Sequence, residues 1–300
     1  NNIAMGYGAL YTNNGESNIA VGTFAMYFNT TGGYNTAVGS GSYGSAYGAL
    51  GLNTTGSNNA AFGYQAGYNN QTGNASTFLG FRAGYSSTSS DNTAVGYNAL
   101  YSNTSGTQNT AIGGGQNGAI GGALNQNVSG NYNTAVGHQS LASNVSGSYL
   151  TAVGFQALYS NTASYNYAFG HQALYSNTSG NENNAFGYQA LFLNTTGTNN
   201  CAFGDGALRN NTTGIANTAL GNYALRANTT SSGVTAVGYL SMYNNTSGTN
   251  NTAIGYQSLY SNTTANENTA VGFNALYANT AYSNTAVGER CMVSNTTGTQ

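Results

Sequence analysis

The chain has 300 residues of which 3% are charged, four basic and six acidic, giving a net charge of -2, and Pro, Trp and Lys are absent. That charge density leaves no footprint for a phosphate backbone or an anionic lipid surface, and it argues against nucleic acid as a partner. With 25 Tyr and 11 Phe the chain also lacks the charged, aromatic-poor signature of disorder, so an ordered fold is expected.

The first element is Ile3-Ala4-Met5-Gly6, a degenerate copy of a box whose clean form is Asn-Thr-Ala-Val-Gly, as in Asn35 to Gly39, Asn92 to Gly96, Asn133 to Gly137 and Asn268 to Gly272. Its closing glycine recurs at 6, 22, 39, 63, 80, 96, 113, 137, 154, 170, 187, 204, 221, 238, 255, 272 and 288, in steps of mostly 17 residues, sometimes 16 and twice 24. A period of that size marks a stacked structural unit rather than globular domains. Numbered as slots from its first residue, the unit reads Asn-Thr-Ala-Val-Gly-Tyr-Gln-Ala-Leu-Tyr-Ser-Asn-Thr-Thr-Gly plus two variable positions.

Slot 3 is Ala in 16 of the 17 copies, with Phe78 the exception, and slot 4 is always large and apolar (Val38, Phe62, Leu79, Ile112, Phe169). Slot 9 is nearly always Leu or Met, beside a small slot 8. Adjacent residues of a strand point to opposite sides, so the pattern predicts two short strands per unit, each with one large apolar residue beside a small one. Such a unit buries nothing alone, whereas stacked units align Val and Leu in continuous columns. The expected fold is all-β: one continuous parallel β-solenoid of about 17 coils over residues 1-300, with slots 4 and 9 inside, slot 3 forming an outward strip of alanine, and a rod on the order of 80 to 90 Å long. Gly, Asn and Thr in every turn argue against a helix.

The 16-residue steps lose a residue between slots 12 and 17, as in Asn161-Thr162-Ala163-Ser164-Tyr165, so the Asn-Thr-Thr-Gly stretch is expected to be a turn. The nearly invariant Asn of slot 12 is expected to form an amide ladder along the stack. Both 24-residue steps carry seven-residue insertions, near 40-46 and 114-120, expected to be surface loops.

No catalytic, cofactor-binding or metal-binding constellation is found, and an enzyme is not expected. Glu16, Asp91, Glu182, Asp205, Glu267 and Glu289 are scattered and keep no fixed offset from His138 or His171. Both histidines sit in slot 6, two coils or ~10 Å apart, outside shared metal ligation. Cys201 and Cys291 lie five coils apart, ~25 Å, beyond the reach of a disulfide. No apolar run approaches the ~20 residues of a membrane span, so no insertion of this segment is expected. The chain begins without Met and ends in mid-repeat, which reads as a segment of something longer.

Two recurrent features are candidate sites. Slot 10 carries an aromatic column, including Tyr101, Tyr159, Tyr175, Tyr243, Tyr260 and Tyr277, interrupted by Arg209 and Arg226 in neighbouring coils. Two like charges ~4.8 Å apart are tolerable only near water, so the column is expected at the surface, either stiffening the solenoid by stacking or holding carbohydrate. Slot 12 supplies Asn-X-Ser/Thr sequons at Asn29, Asn53, Asn103, Asn177, Asn194, Asn211, Asn228, Asn245, Asn262 and Asn295, which in a secretory pathway are N-glycosylation acceptors.

The Asn-Thr-Ala-Val-Gly box resembles the Ser-Val-Ala-Ile-Gly box in the head domains of trimeric autotransporter adhesins, and the unit running from Asn251 to Thr264 is similar to repeats of bacterial and phage tail-fibre-domain proteins. The resemblance covers nearly the whole chain, although the adhesin units are shorter. It implies a left-handed β-roll assembled as a homotrimer or filament, hence an extracellular fibre or shaft at a cell surface or on a virion. An outward alanine strip would agree with that, since burying it needs another chain. The opposing reading is a monomeric solenoid that grips a host-surface glycan through its tyrosines, or a heavily glycosylated filament.

Overall fold

The structure, a computed structural model, describes residues 1-42, 47-115 and 121-298. It falls into two compact units, Asn1–Val153 and Gly154–Gln300. Both are all-β and parallel: the first holds nine three-residue strands from β1 (Ile3–Met5) to β9 (Thr151–Val153), the second eight from β10 (Tyr167–Phe169) to β17 (Thr285–Val287). Within each unit neighbouring strands pair in register, slot on slot, as in Ala20 with Ala37 and Ala185 with Ala202. This is the parallel β-solenoid with a ~17-residue repeat that the glycine ruler predicts. The two insertions fall largely on residues 43-46 and 116-120, outside the described residues.

Among the described residues each coil has one strand, slots 2 to 4, and not two. The expected second strand is a run of turns because slots 7 and 9 take positive φ, as Gln156 (53°) and Leu158 (52°) do, a conformation no strand accommodates. The slot 8 N–H turns back to the slot 5 carbonyl of its own coil (Ala157 to Gly154, 3.4 Å), and slot 12 does the same to slot 9 (Asn161 to Leu158, 3.2 Å). Alternate N–H groups still bond the next coil: Leu158 donates to Ala173 at 3.0 Å and Ser160 to Tyr175 at 3.1 Å. The register therefore survives without a second strand. A left-handed leucine costs about 1 to 2 kcal/mol, and full burial of its side chain, worth about 1.5 to 3 kcal/mol, offsets that.

The facing of the first strand is the reverse of the expected one. The slot 3 alanines are inside, with Ala185, Ala202 and Ala236 fully buried, and the large slot 4 residues are outside, with Leu220 49% and Ile254 41% exposed. The interior is built from slot 3, slot 8 and the slot 9 leucines, among them Leu158, Leu174 and Leu208 at zero exposure. Because leucine already fills the narrow coil from one side, only a methyl fits opposite it. Ala is required at slot 3 by that interior, and not by a neighbouring chain.

Coils 4 and 5 show the constraint by exception. There slot 9 is Gly67 and Gly84, and the missing leucines are replaced by Phe78, which enters from slot 3 and is fully buried. A Cβ at Gly67 would lie 2.5 Å from a Phe78 ring carbon, and one at Gly84 would also collide with that ring. Phenylalanine and the two glycines are one volume exchange spread over three positions.

The remaining interior is polar. Most slot 12 asparagines are buried and linked coil to coil: Asn194 Nδ2 donates to Asn177 Oδ1 (2.7 Å), Asn211 to Asn194 (2.8 Å) and Asn228 to Asn211 (2.7 Å), while the Oδ1 atoms of Asn53, Asn70 and Asn262 accept no bond. Each also donates to the slot 15 carbonyl of its own turn, as Asn211 does to Gly214 at 3.0 Å. A second buried column, unanticipated, stands at slot 1. Asn200 Nδ2 reaches across its coil to the Gly214 carbonyl (2.9 Å), and its Oδ1 accepts the Asn217 N–H of the next coil (3.1 Å). Two amides thus clamp one carbonyl in every such coil, satisfying groups whose burial would otherwise cost about 1 to 3 kcal/mol each. Glycine suits slot 15 for space, since a Cβ at Gly197 would fall 2.5 Å from the next coil's Gly214 carbonyl oxygen.

Candidate functional site

The strand places slots 2 and 4 on one outward face and slot 6, after the glycine bend, beside it. In unit Gly154–Gln300 slot 4 runs Phe169, Phe186, Phe203, Leu220, Val237, Ile254, Val271 and Val287; the three phenylalanines stack at centroid distances of 4.7 and 4.3 Å. In unit Asn1–Val153 the same column includes Phe62 at 40% and Leu79 at 48% exposure. Slot 2 beside it is mostly Thr, and neither slot holds a charged residue in any coil. Slot 6 adds an exposed aromatic row, with Tyr239, Tyr256 and Phe273 stacked at 5.5 and 5.2 Å. The result on each unit is a sheet face with a bulky apolar side chain in slot 4 at every coil; on unit Gly154–Gln300 slot 6 also carries two exposed carboxylates, Asp205 and Glu289. Composition does not reveal it; the alternation of small and large in slots 3 and 4 does, once its phase is known.

The slot 10 tyrosines are half-buried and stacked on each other. Tyr85 and Tyr101 lie 4.9 Å apart with planes 5° from parallel, Tyr159 and Tyr175 5.1 Å and 8°, Tyr243 and Tyr260 5.6 Å and 9°, Tyr260 and Tyr277 5.1 Å and 4°. A sugar stacks on a ring face, and these faces are taken by neighbouring rings, so the column offers edges and hydroxyls. The pairs contribute about 0.5 to 1.5 kcal/mol each to the coil stack. Burial, followed by the stacked neighbour's phenol, raises the Tyr68 and Tyr85 pKa above the ordinary value of 10.0.

Of the sequon asparagines, Asn29, Asn53, Asn103, Asn177, Asn194, Asn211, Asn228, Asn245 and Asn262 are fully buried, and Asn295 is half-buried. The Nδ2 that would carry a glycan is the ladder donor, for instance Asn29 to the Gly32 carbonyl at 2.8 Å and Asn103 to that of Gly106 at 2.8 Å. A glycan there displaces the ladder bond and has no outward path from the closed coil.

Other polar groups do not converge. His171 is stacked between Phe155 and Tyr188 at 5.1 and 5.2 Å. Cys201 and Cys291 are free thiols, and burial raises the Cys201 pKa. Among the described residues no three His, Cys, Asp or Glu side chains come together to hold a metal, and no helix is long and apolar enough to cross a membrane. A shallow groove on unit Asn1–Val153, lined by Thr12, Phe28, Thr30, Leu52, Thr54 and Gln71, contains no ionisable group. No protein-family model and no curated protein matches the chain.

Proposed function

We propose that the chain is a non-catalytic structural segment of an extracellular fibre, assembled with further copies of itself through the outward face of slots 2, 4 and 6. The observation that carries this reading is the slot 4 column, a large apolar side chain repeated at every coil, with no charged residue in slots 2 and 4. Soluble monomers rarely leave contiguous apolar patches of more than a few hundred Å² in water. With ~4.8 Å per coil and about 15 Å across slots 2 to 6, nine coils present about 650 Å² and eight about 580 Å². Each unit's face alone thus exceeds the few hundred Å² a soluble monomer leaves open and approaches the ~800 Å² per partner of a standard stable interface. A second copy of this chain fits the face in kind, being equally apolar in slot 4 and periodic at the same spacing.

Three copies are what the resemblance to adhesin heads and tail-fibre repeats implies, and buried ladders running from coil to coil suit a load-bearing shaft. The test is the mass in solution by light scattering. The expected result is three times the 30.6 kDa chain mass, falling to one chain when outward residues such as Val237 and Ile254 are replaced by Lys. A monomer at micromolar concentration overturns the proposal.

A further inference from the structure

We propose that the groove across the first four coils of unit Asn1–Val153 is a binding site for a neutral saccharide. It has a volume of about 350 Å³, at the small end of ligand sites. Its walls are residues of slots 11 and 13: Thr12 in coil 1, Phe28 and Thr30 in coil 2, Leu52 and Thr54 in coil 3, and Gln71 in coil 4. At ~4.8 Å per coil these residues span about 14 Å along the stack, enough for a mono- or disaccharide. Three of them depart from the repeat. Slot 11 is small or polar in every other coil except at Leu193, and Gln71 stands where slot 13 usually has Thr. Departures in three successive coils open on one groove, which a repeat kept for stacking alone does not require.

The lining has no ionisable group, so nothing compensates a charged ligand for the water it loses, and a neutral one is favoured. The threonine hydroxyls have spent their donors. Thr12 Oγ1 donates to the Tyr27 carbonyl at 3.1 Å, Thr30 Oγ1 to that of Thr54 at 2.9 Å and Thr54 Oγ1 to that of Gln71 at 2.9 Å. Each oxygen keeps lone pairs, so the row presents acceptors to a ligand rich in O–H donors. The exposed Gln71 amide bonds none of the described residues and offers the complement, two N–H donors and a carbonyl. Phe28 supplies the apolar platform. Tyr27 and Tyr47 meet its ring at centroid distances of 4.9 Å and at 82° and 68°, which fixes the ring by edge contacts and stacks nothing parallel on it. The slot 10 rings, by contrast, cover one another. A pyranose has the matching combination, a C–H face for Phe28 and Leu52 and a rim of hydroxyls for Thr and Gln. The groove uses none of slots 2, 4 and 6, so its occupancy is independent of self-assembly.

Titration of the intact chain, followed by calorimetry and by NMR of the Gln71 side-chain amide, tests the site. The probes are glucose, galactose, mannose, N-acetylglucosamine, cellobiose and chitobiose, with glucuronate as a charged control and hexanol as an apolar one. Saturable binding of at least one neutral sugar is expected, with Q71A and F28A each about tenfold weaker and L193A, the same slot in unit Gly154–Gln300, unchanged. Because Phe28→Ala also loosens the contact with Tyr47, two readouts stand without it: the loss in Q71A, an exposed position, and the shift of the wild-type Gln71 amide with sugar. No saturable binding of any neutral sugar, tighter binding of hexanol or glucuronate than of every sugar, or full affinity in Q71A overturns the site. A monomer that binds sugar overturns the fibre reading alone, and a trimer that binds none overturns the groove alone.

Discussion

Phe78→Ala tests the volume exchange in coils 4 and 5. The ring is fully buried, and truncating a core phenylalanine costs about 3 to 5 kcal/mol. The upper end is expected here, because the walls facing the hole are Gly67 and Gly84, which have no side chains to move into it. Gly67→Leu and Gly84→Leu in the native background should also destabilise, since their Cβ atoms meet the ring. The triple variant recreates the arrangement of the other coils, Ala in slot 3 and Leu in slot 9, and the left-handed backbone at 67 and 84 is the one Leu158 and Leu174 already hold. Urea denaturation followed by circular dichroism should show the triple variant recovering most of the loss, a coupling of at least about 2 kcal/mol between positions in contact. If Phe78→Ala costs less than about 1 kcal/mol, or the leucines fail to rescue it, the description of the interior is wrong.

Further expectations follow from the facing of the strand, the ladders and the tyrosines. Ile254→Lys, on the outward face, should change the stability of the chain by no more than about 0.5 kcal/mol while lowering the mass seen by light scattering; a large loss of stability would mean that slot 4 points inward. Asn211→Ala removes the bonds to Asn194, Gly214 and Asn228 and should cost about 3 kcal/mol, counting the amides left unpaired, against little for the exposed Thr213→Ala in the same turn. Tyr68 and Tyr85 keep their protons above the usual phenol value of 10.0. The folded state therefore binds more protons than the unfolded one in that range, and stability should be constant below about pH 10 and fall as pH rises beyond it. Urea midpoints across the alkaline range measure this, and Tyr85→Phe should flatten the fall; an unchanged slope removes Tyr85 from the account.

Much of the candidate surface was present in the sequence, assigned to the wrong side. Slots 3 and 4 announce a small and a large residue on opposite faces, but an alternation with period two has two phases, and a shift of one residue exchanges inside for outside. Bulk alone favours placing Val, Ile and Phe in the core. The slot 10 tyrosines were legible as a column, yet their stacking distance and half-burial decide that they brace the coil with their faces. The slot 1 asparagines read as the start of a box, and nothing local reveals that their amides cross the coil to a carbonyl 14 residues on, as Asn200 does to Gly214.

The sequence by itself determined what depends on repetition: the period, the parallel register, the buried slot 9 leucine, the slot 12 amide ladder and the turn that absorbs single-residue deletions. Each follows because identical residues at a fixed spacing must stack on themselves whatever the shape of the coil. The tertiary structure decided what depends on the cross-section of one coil. A left-handed backbone at slots 7 and 9 replaces a second strand, and the leucine it points inward leaves room opposite for a methyl and no more. That narrowness turns alanine in and Val, Ile and Phe out, and creates the apolar face on which the proposed assembly rests.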